Sequence, residues 1–440
     1  MTTPPDRPRP AGKLLRLHIQ GLRVIDNLEL ELRPMNVFIG DNGSGKSSVL
    51  EALELLRKAA TLRGDAFIEE LARAHGGARL FRRGPQSATA RLVLGVTADL
   101  GRNLPYHYQL TLEAERGRWP QIVAEHLHYG PEPGHAKPLR VLSRQGDKAS
   151  VFVQRTKSLR SVPVDGGPML SGLGTVISED GDDPGDAAQD INEALPRLRE
   201  LLTGIRVHPP AALSPTWTRA PQESAPAIRG PATVRPARTV ERGGSNLPNI
   251  YHALRNQKTG HSWPWRDVLE YLQLGLGREL RDVLIEPSPS GGEFSIALEW
   301  DGVGTLTTSE LSDGQLAYLY WVAVLAFGEG SLLAFDEPDN HLHPALVGRL
   351  VDLAVRASEE RPVILCTHSD RLLDALGDPL ASVVLFERAQ EGTRAFRPDA
   401  EQLQHWLEKY TGLGTARAEG YGSMIFTKEV EAPRSAPEEA

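Results

Sequence analysis

Between the apolar run Val37-Phe38-Ile39 and the helically spaced Val49, Ala52, Leu53 and Leu56 stands Gly40-Asp41-Asn42-Gly43-Ser44-Gly45-Lys46-Ser47. Few patterns restrict a fold more. Its glycines permit a turn in which backbone N–H groups converge, and the helix that follows brings its positive end to the same point. In the order strand, loop, helix, the pattern G-x-x-x-x-G-K-[ST] is that of a loop that cradles phosphates. The N–H groups of Gly43, Gly45 and Lys46 are placed to close around them, with Gly40, Asn42, Ser44 and Ser48 completing the loop. Lys46 then meets the β and γ phosphates of a nucleotide and Ser47 ligates Mg²⁺.

A metal held from one side by Ser47 needs a second anchor at the tip of a neighbouring strand. Leu332-Leu333-Ala334-Phe335-Asp336-Glu337 is an apolar run that ends in two acids. Asp336 is the expected Mg²⁺ partner. Glu337 is placed to orient or deprotonate an attacking water, which makes the expected chemistry the hydrolysis of a bound nucleotide's terminal phosphate.

Periodicity places these motifs in a sheet. Alternation in Leu15/Leu17/Ile19 and in Leu28/Leu30/Leu32 predicts two half-buried strands, and Arg91–Val96 and Tyr106–Leu112 predict that an antiparallel sheet continues. The last part alternates a strand over 294–300, a helix over 314–327, strand 332–335, a helix from about 344 to 356 and strand 363–366. Strands and helices in that order predict a parallel core flanked by helices, an α/β fold. Between about 100 and 260 the pattern loosens into an irregular insertion. It holds an acidic loop over 178–186, a helix candidate over 190–202 and a Pro/Ala/Arg linker over 209–244. The expected organisation is a disordered 1–12, an N-terminal lobe over 13–99, an insertion over 100–260, a C-terminal lobe over 261–425 and a disordered tail over 426–440.

Composition narrows the setting. The net charge of −8 argues against coating nucleic acid by bulk electrostatics, although a local basic stripe is compatible with it. The single cysteine, Cys366, excludes an intrachain disulfide and a Cys-rich zinc site, and fits a reducing cytoplasm. The Pro-rich N-terminus lacks the apolar stretch of a secretory signal. Leu316–Phe335 is the most apolar segment, but Gly328-Glu329-Gly330 divides it into pieces too short for a bilayer, so no membrane association is expected.

Two further segments carry a resemblance. Leu311-Ser312-Asp313-Gly314-Gln315 precedes the helix before the acidic strand, and Thr367-His368-Ser369 follows the next strand. The order of phosphate loop, L-S-x-G-Q, Asp-Glu strand and lone histidine resembles the ATP-binding-cassette superfamily. The opening LHIQGLRVIDNLELELRPMNVFIGDNGSGKSSVLEAL, with LSDGQ, DEPDNHLHP and CTHSD, is most similar to its RecF/OLD-like, SMC-related branch of AAA-family ATPases. The resemblance covers about residues 13–57 and 306–390. It implies a P-loop NTPase of ABC/SMC-head type, whose nucleotide is ATP, converted with water to ADP and phosphate, and two ATP molecules sandwiched in a head-to-tail homodimer. Ser312, Gly314 and Gln315 of one copy would cover the nucleotide of the other, Asp339 would be the dimer-loop residue, and His368 would contact the γ-phosphate. It also implies work on DNA, in repair, recombination or anti-phage defence, with a separately encoded nuclease or other effector. Gln86 is the candidate for the family's glutamine loop. Unlike the full-length OLD nucleases, the sequence shows no acid-rich Toprim-type segment after the ATPase motifs, so intrinsic DNA cleavage is not expected.

Other residues carry weaker signals. His341 and His343 lie two apart with no third ligand in view, which favours a structural or dimer-loop role over a metal pair. Glu179, Asp180, Asp182, Asp183 and Asp186 lack the glycine and terminal glutamate of a calcium loop. Arg219, Arg229, Arg235, Arg238 and Arg242 are compatible with a linker or with a bound partner. Trp263 and Trp265 are expected to pack at the start of a helix.

Overall fold

The computed structural model describes residues 12–82, 89–115, 118–131, 138–153, 157–172, 194–210, 227–256, 263–289, 291–389 and 392–398. Gln86, Arg219 and the acidic loop over 178–186 lie outside the described residues, as do the proposed disordered tail and all but the last residue of the proposed disordered N-terminus.

The chain opens with β1 (Lys13–Leu22), β2 (Ile25–Glu31) and β3 (Met35–Gly40), followed by α1 (Lys46–Thr61) and α2 (Ala66–His75). Strands β4 (Thr89–Asp99), β5 (Tyr106–Glu115), β6 (Gln121–Tyr129), β7 (Leu139–Gln145), β8 (Lys148–Val153) and β9 (Ser158–Val162) come next. Helices α3 (Met169–Gly172) and α4 (Ala194–Thr203) lead to β10 (Ile205–His208) and the short β11 (Ala232–Thr233). After α5 (Leu247–Asn256) and α6 (Trp265–Leu276) the chain forms β12 (Leu280–Pro287), β13 (Glu293–Trp300) and β14 (Gly304–Thr307). The last part is α7 (Asp313–Phe327), β15 (Leu332–Asp336), α8 (Pro344–Ser358), β16 (Val363–Thr367), α9 (Asp370–Asp374), α10 (Pro379–Ser382), β17 (Val383–Ala389) and β18 (Gly392–Phe396).

Two large sheets result. The first is antiparallel and eight-stranded, in the order β2-β1-β4-β5-β6-β7-β8-β9. The second is six-stranded, in the order β10-β15-β16-β3-β17-β18, and is parallel except for its last pair. A smaller sheet forms around β13, which pairs with β11, β12 and β14.

Side-chain alternation along the parallel strands explains how the layers adhere. In β3, Phe38 joins the core shared with α1 and the antiparallel sheet, whereas Val37 and Ile39 join the core shared with α7 and α8. A strand buried on both faces reads as a continuous apolar run, which is why Val37-Phe38-Ile39 and Leu332–Phe335 show no alternation. Helix α7 is apolar all round because Leu316–Phe327 is buried on every side. Gly328, at φ 71°, ends it in a left-handed cap. Among the described residues no helix is long and apolar enough to cross a membrane.

Sequence expectation and structure differ at some points. Alternation predicts that Leu15 faces inward, yet it is 38% exposed while Leu14 is buried. The pairing of β1 with β4 shifts register between Leu14 and Arg16, and such a bulge moves one residue to the other face. Past residue 100 the regular sheet continues through β5–β9, so the loosened pattern there is still strand. Its anchor to α3 is Glu125, fully buried on β6. Glu125 accepts from Tyr108 Oη at 2.9 Å and from the N–H groups of Met169 at 2.6 Å and Leu170 at 2.9 Å.

Over 227–244 the described Pro/Ala/Arg stretch makes specific contacts, although 231, 233–236 and 238 are exposed. Strand β11 pairs with β13, Arg242 pairs with Glu54 at 2.9 Å, and Arg235 pairs with Glu241. Arg229 is buried and bonded within the chain, so it is no surface arginine. Composition could not show this, because the groups that satisfy Arg229 lie far along the chain. Trp263 packs as expected, buried with the Arg356 guanidinium 4.2 Å from its ring.

Candidate functional site

Strand order brings the motifs together. In the parallel sheet β16 lies between β3 and β15. The C-terminal tips of those strands, carrying Gly40, Thr367 and Asp336, therefore lie side by side on one edge, the edge where open α/β sheets bind ligands. Ser47 Oγ lies 3.3 Å from Asp336 Oδ2 and 3.4 Å from Oδ1, although 289 residues separate them in sequence.

The loop's local conformation depends on glycine at particular positions. A Cβ on Gly40 would come within 2.1 Å of the Phe386 carbonyl oxygen, so β17 can approach only a glycine there. Gly43, at φ 77°, faces open space, and Gly45, at φ 111°, is the left-handed cap of α1. That cap offers no side-chain hydrogen bond, which leaves the first N–H groups of α1 without a side-chain cap. The Ser44 hydroxyl is buried with no hydrogen-bond partner. Lys46 Nζ donates to the carbonyls of Gly40 at 2.7 Å and Asp41 at 3.0 Å. Uncapped amides, an unmatched hydroxyl and an ammonium folded over the loop together suit a polyphosphate anion.

The acidic side of the site is charged and partly desolvated. The Asp336 carboxyl is pushed above the ordinary aspartate value by burial and then by Glu337 beside it, against the pull of Ser47, Lys46 and His368. Adjacent carboxylates with a hydroxyl near them form a donor set of oxygens that suits Mg²⁺. Glu337 adopts a left-handed backbone at φ 46°, which is costly for a non-glycine residue. Its N–H donates to the Cys366 carbonyl at 2.8 Å, and its Oε2 accepts from Asn340 Nδ2 at 2.7 Å. His368 Nε2 lies 3.8 Å from Glu337 Oε1. Asp339 accepts from Thr367 Oγ1 at 2.7 Å, which ties the loop after the acids to the turn that bears His368. Cys366 is buried and free, its thiol pushed well up chiefly by burial.

The signature residues form a unit of their own. Ser312 is the N-cap of α7, and its hydroxyl accepts from the Gln315 N–H at 3.3 Å. Gln315 Oε1 in turn accepts from the Ser312 N–H at 3.0 Å and from its hydroxyl at 3.1 Å, a reciprocal capping box. The helix thus starts one residue before Gly314. A Cβ on Gly314 would come 3.0 Å from the His341 carbonyl oxygen, so the start of α7 packs closely on the loop that follows Asp339. His343 caps α8 by accepting from the Ala345 N–H at 3.2 Å. Among the described residues no group of His, Cys, Asp and Glu could hold a metal by three or more ligands.

Some residues that shape the site carry no motif. Thr393 on β18 donates to the Ser44 carbonyl at 2.8 Å, and a Cβ on Gly45 would come within 2.6 Å of its Oγ1. Arg229 binds the turn that leads into Ser312. Asn340 sits inside DEPDNH and was within reach of sequence reasoning. For Thr393 and Arg229 the sequence holds no signal, because each acts across a long chain separation.

Comparison with known proteins agrees with this geometry. Residues 13–74 match a family model described as "AAA ATPase domain", and residues 183–374 match one described as "AAA domain, putative AbiEii toxin, Type IV TA system". No curated protein matches the sequence. Among solved structures, an SMC head bound to the C-terminal winged-helix domain of ScpA aligns with TM-score 0.50 and 14% identity, over 89% of this chain and 99% of that one. The SMC head domain from Thermotoga maritima aligns with TM-score 0.41 and 13% identity, over 88% of this chain and 100% of that one.

Proposed function

Since the chain carries the fold of an SMC/RecF-like ABC-type P-loop ATPase, we propose that it binds and hydrolyses ATP with Mg²⁺ as a head-to-tail homodimer. The observation that carries this reading is the 3.3 Å approach of Ser47 to Asp336, with Glu337 and His368 beside them. Lys46 and the amides of Gly43 and Gly45 bind the phosphates, and Gly40, Asn42, Ser44 and Ser48 shape the loop. Ser47 and Asp336 would hold Mg²⁺, which when bound neutralises phosphate charge. Glu337 orients the attacking water and takes its proton, with Asn340 holding the other carboxylate oxygen in place. His368 meets the γ-phosphate. Ser312 and Gly314 of a second copy, with Gln315 and Asp339, complete the lid.

The work coupled to this cycle is proposed to lie in DNA repair or recombination, or in anti-phage defence with a separately encoded effector such as a nuclease, in the cytoplasm. The match to a model named for a toxin of a Type IV TA system speaks for defence over transport. A partner protein on the head is part of the proposal, because the SMC head of similar fold was solved with one bound.

The test is ATP turnover by the purified chain, with Mg²⁺ or EDTA, without DNA and with single- or double-stranded DNA, beside Glu337→Gln. Mg²⁺-dependent turnover lost in Glu337→Gln supports hydrolysis at this site. Nucleotide binding with no turnover under any of these conditions would instead favour a nucleotide-gated scaffold.

A further inference from the structure

Resting on the proposed role of the signature segment, we infer that Arg229 is a positioning residue. It fixes the turn that carries Ser312 and neutralises Asp313 at the end of α7 that would face the partner copy's triphosphate. Arg229 belongs to the short helical turn over 227–229, between β10 and α5, and its side chain is only 4% exposed. Its guanidinium donates to the carbonyl oxygens of Thr308 at 3.1 Å and Leu311 at 2.9 Å, and to the Asp313 carboxylate. In return Thr308 Oγ1 donates to the Arg229 carbonyl at 3.0 Å. One rigid, forked cation thus grips both ends of segment 308–313, a geometry that the single ammonium of lysine cannot copy.

Two physical consequences follow from these contacts. Ser312 and Gln315 bond to each other, so their box closes the helix start without fixing where that start sits. Beyond the apolar packing of Leu311 and α7 and the close approach of Gly314 to the His341 carbonyl, the polar hold on this turn comes through the Leu311 carbonyl and Asp313, both on Arg229. Asp313 also places a carboxylate in the first turn of α7. Left unpaired, that charge would repel an incoming phosphate at the same helix end. Paired with Arg229, it is neutralised and turned toward the protein.

The test uses the full chain in the Glu337→Gln background and reads the ATP concentration at which half the protein is dimeric, by size-exclusion chromatography with light scattering. Binding of a fluorescent ATP analogue to dilute monomer is read in parallel. Arg229→Met is expected to raise the half-dimer concentration at least about tenfold, as expected when buried acceptors and a carboxylate lose their donor, with monomer binding unchanged. Adding Asp313→Asn is expected to recover part of the loss, because the unpaired charge is gone. A folded Arg229→Met that dimerises like its parent overturns the inference, as does a double variant no better than the single one. Should Arg229→Met not fold, Arg229→Lys is read instead. It keeps a cation and loses the fork, so a smaller shift is expected, and no shift overturns the inference. Ser312→Arg separates the two levels of argument. If it leaves the dimer intact, the signature reading itself fails; if it abolishes the dimer while Arg229 variants do not disturb it, only the role of Arg229 fails.

Discussion

Thr393 Oγ1 donates to the carbonyl of Ser44 at 2.8 Å, so a residue 349 positions downstream holds the centre of the phosphate loop. Thr393 is buried, and its hydroxyl occupies the space that a side chain on Gly45 would need. The loop is therefore shaped from outside as well as by its own glycines. Thr393→Val keeps the volume and leaves the Ser44 carbonyl unmatched, at a cost of about 1–3 kcal/mol. Calorimetric titration with ATP is expected to show affinity reduced roughly five- to tenfold, as follows from part of that cost falling on the binding conformation, with Thr393→Ser near the parent. Equal affinity for Thr393→Val would show that the loop holds its shape unaided.

Glu337 and Lys46 separate binding from turnover. Glu337→Gln removes the proposed base but not the proposed phosphate contacts, so ATP is expected to bind and trap a dimer that elutes earlier in size exclusion. Lys46→Ala removes the cation proposed to meet the β and γ phosphates and should abolish nucleotide binding. A mixture of Lys46→Ala with Ser312→Arg subunits is expected to regain part of the hydrolysis that each lacks alone. Each mixed dimer then keeps one pocket with an intact loop and an intact lid. No recovery at any mixing ratio would count against a site shared between copies.

Asp336 yields a prediction about pH. Its carboxyl sits above the ordinary aspartate value of 3.8, through burial and the neighbouring Glu337, so the fold binds its proton more tightly than the unfolded chain does. The ionised form thus costs stability, absent below pH 3.8 and fully present above the raised value. Asp336→Asn is expected to raise the melting temperature of the nucleotide-free protein at pH 7, to lose that gain below pH 3.8, and to abolish Mg²⁺-dependent turnover. A variant less stable than the parent at pH 7 would contradict this sign.

Glu51 has the opposite sign. Burial alone would push it up, but hydrogen bonds from His75 and Arg23 outweigh burial and lower it from 4.5 to about 2. It joins α1 to α2 and to the turn after β1, through His75 Nδ1 at 2.9 Å and Arg23 Nε at 2.9 Å. The stability from this lowering is complete above pH 4.5 and disappears as pH falls through about 2. Glu51→Gln should therefore lower the urea midpoint at pH 7 and match the parent near pH 2. A difference that persists unchanged at pH 2 would mean that packing, not charge, links these helices.

The local conformation of the candidate site was legible in the sequence wherever it depends on neighbours along the chain. A phosphate loop is a local device, made of glycines, a lysine and a helix start, so residues 40–48 announce it. The same holds for the apolar strand that ends in Asp336 and Glu337, whereas the capping box of Ser312 with Gln315, and the helix start at Asp313 that goes with it, appear only in the structure. Leu15 shows the limit, because its alternation is right and a register shift at the next strand overrides it. Strands β5–β9 and the contacts of β11 and Arg229 show another, since their partners are set by sheet order and by buried polar contacts that composition does not record.

By itself the sequence determined the strand, loop and helix that carry Lys46 and Ser47 and the strand that ends in Asp336, because local spacing fixes local conformation. The tertiary structure alone decided that β16 stands between β3 and β15, that Thr393 closes on the loop, and that Arg229 grips the turn before α7. The reason is physical. Hydrogen bonds and ion pairs at long chain separation are selected by the packing of whole layers, and no residue on either side carries a local mark of its distant partner.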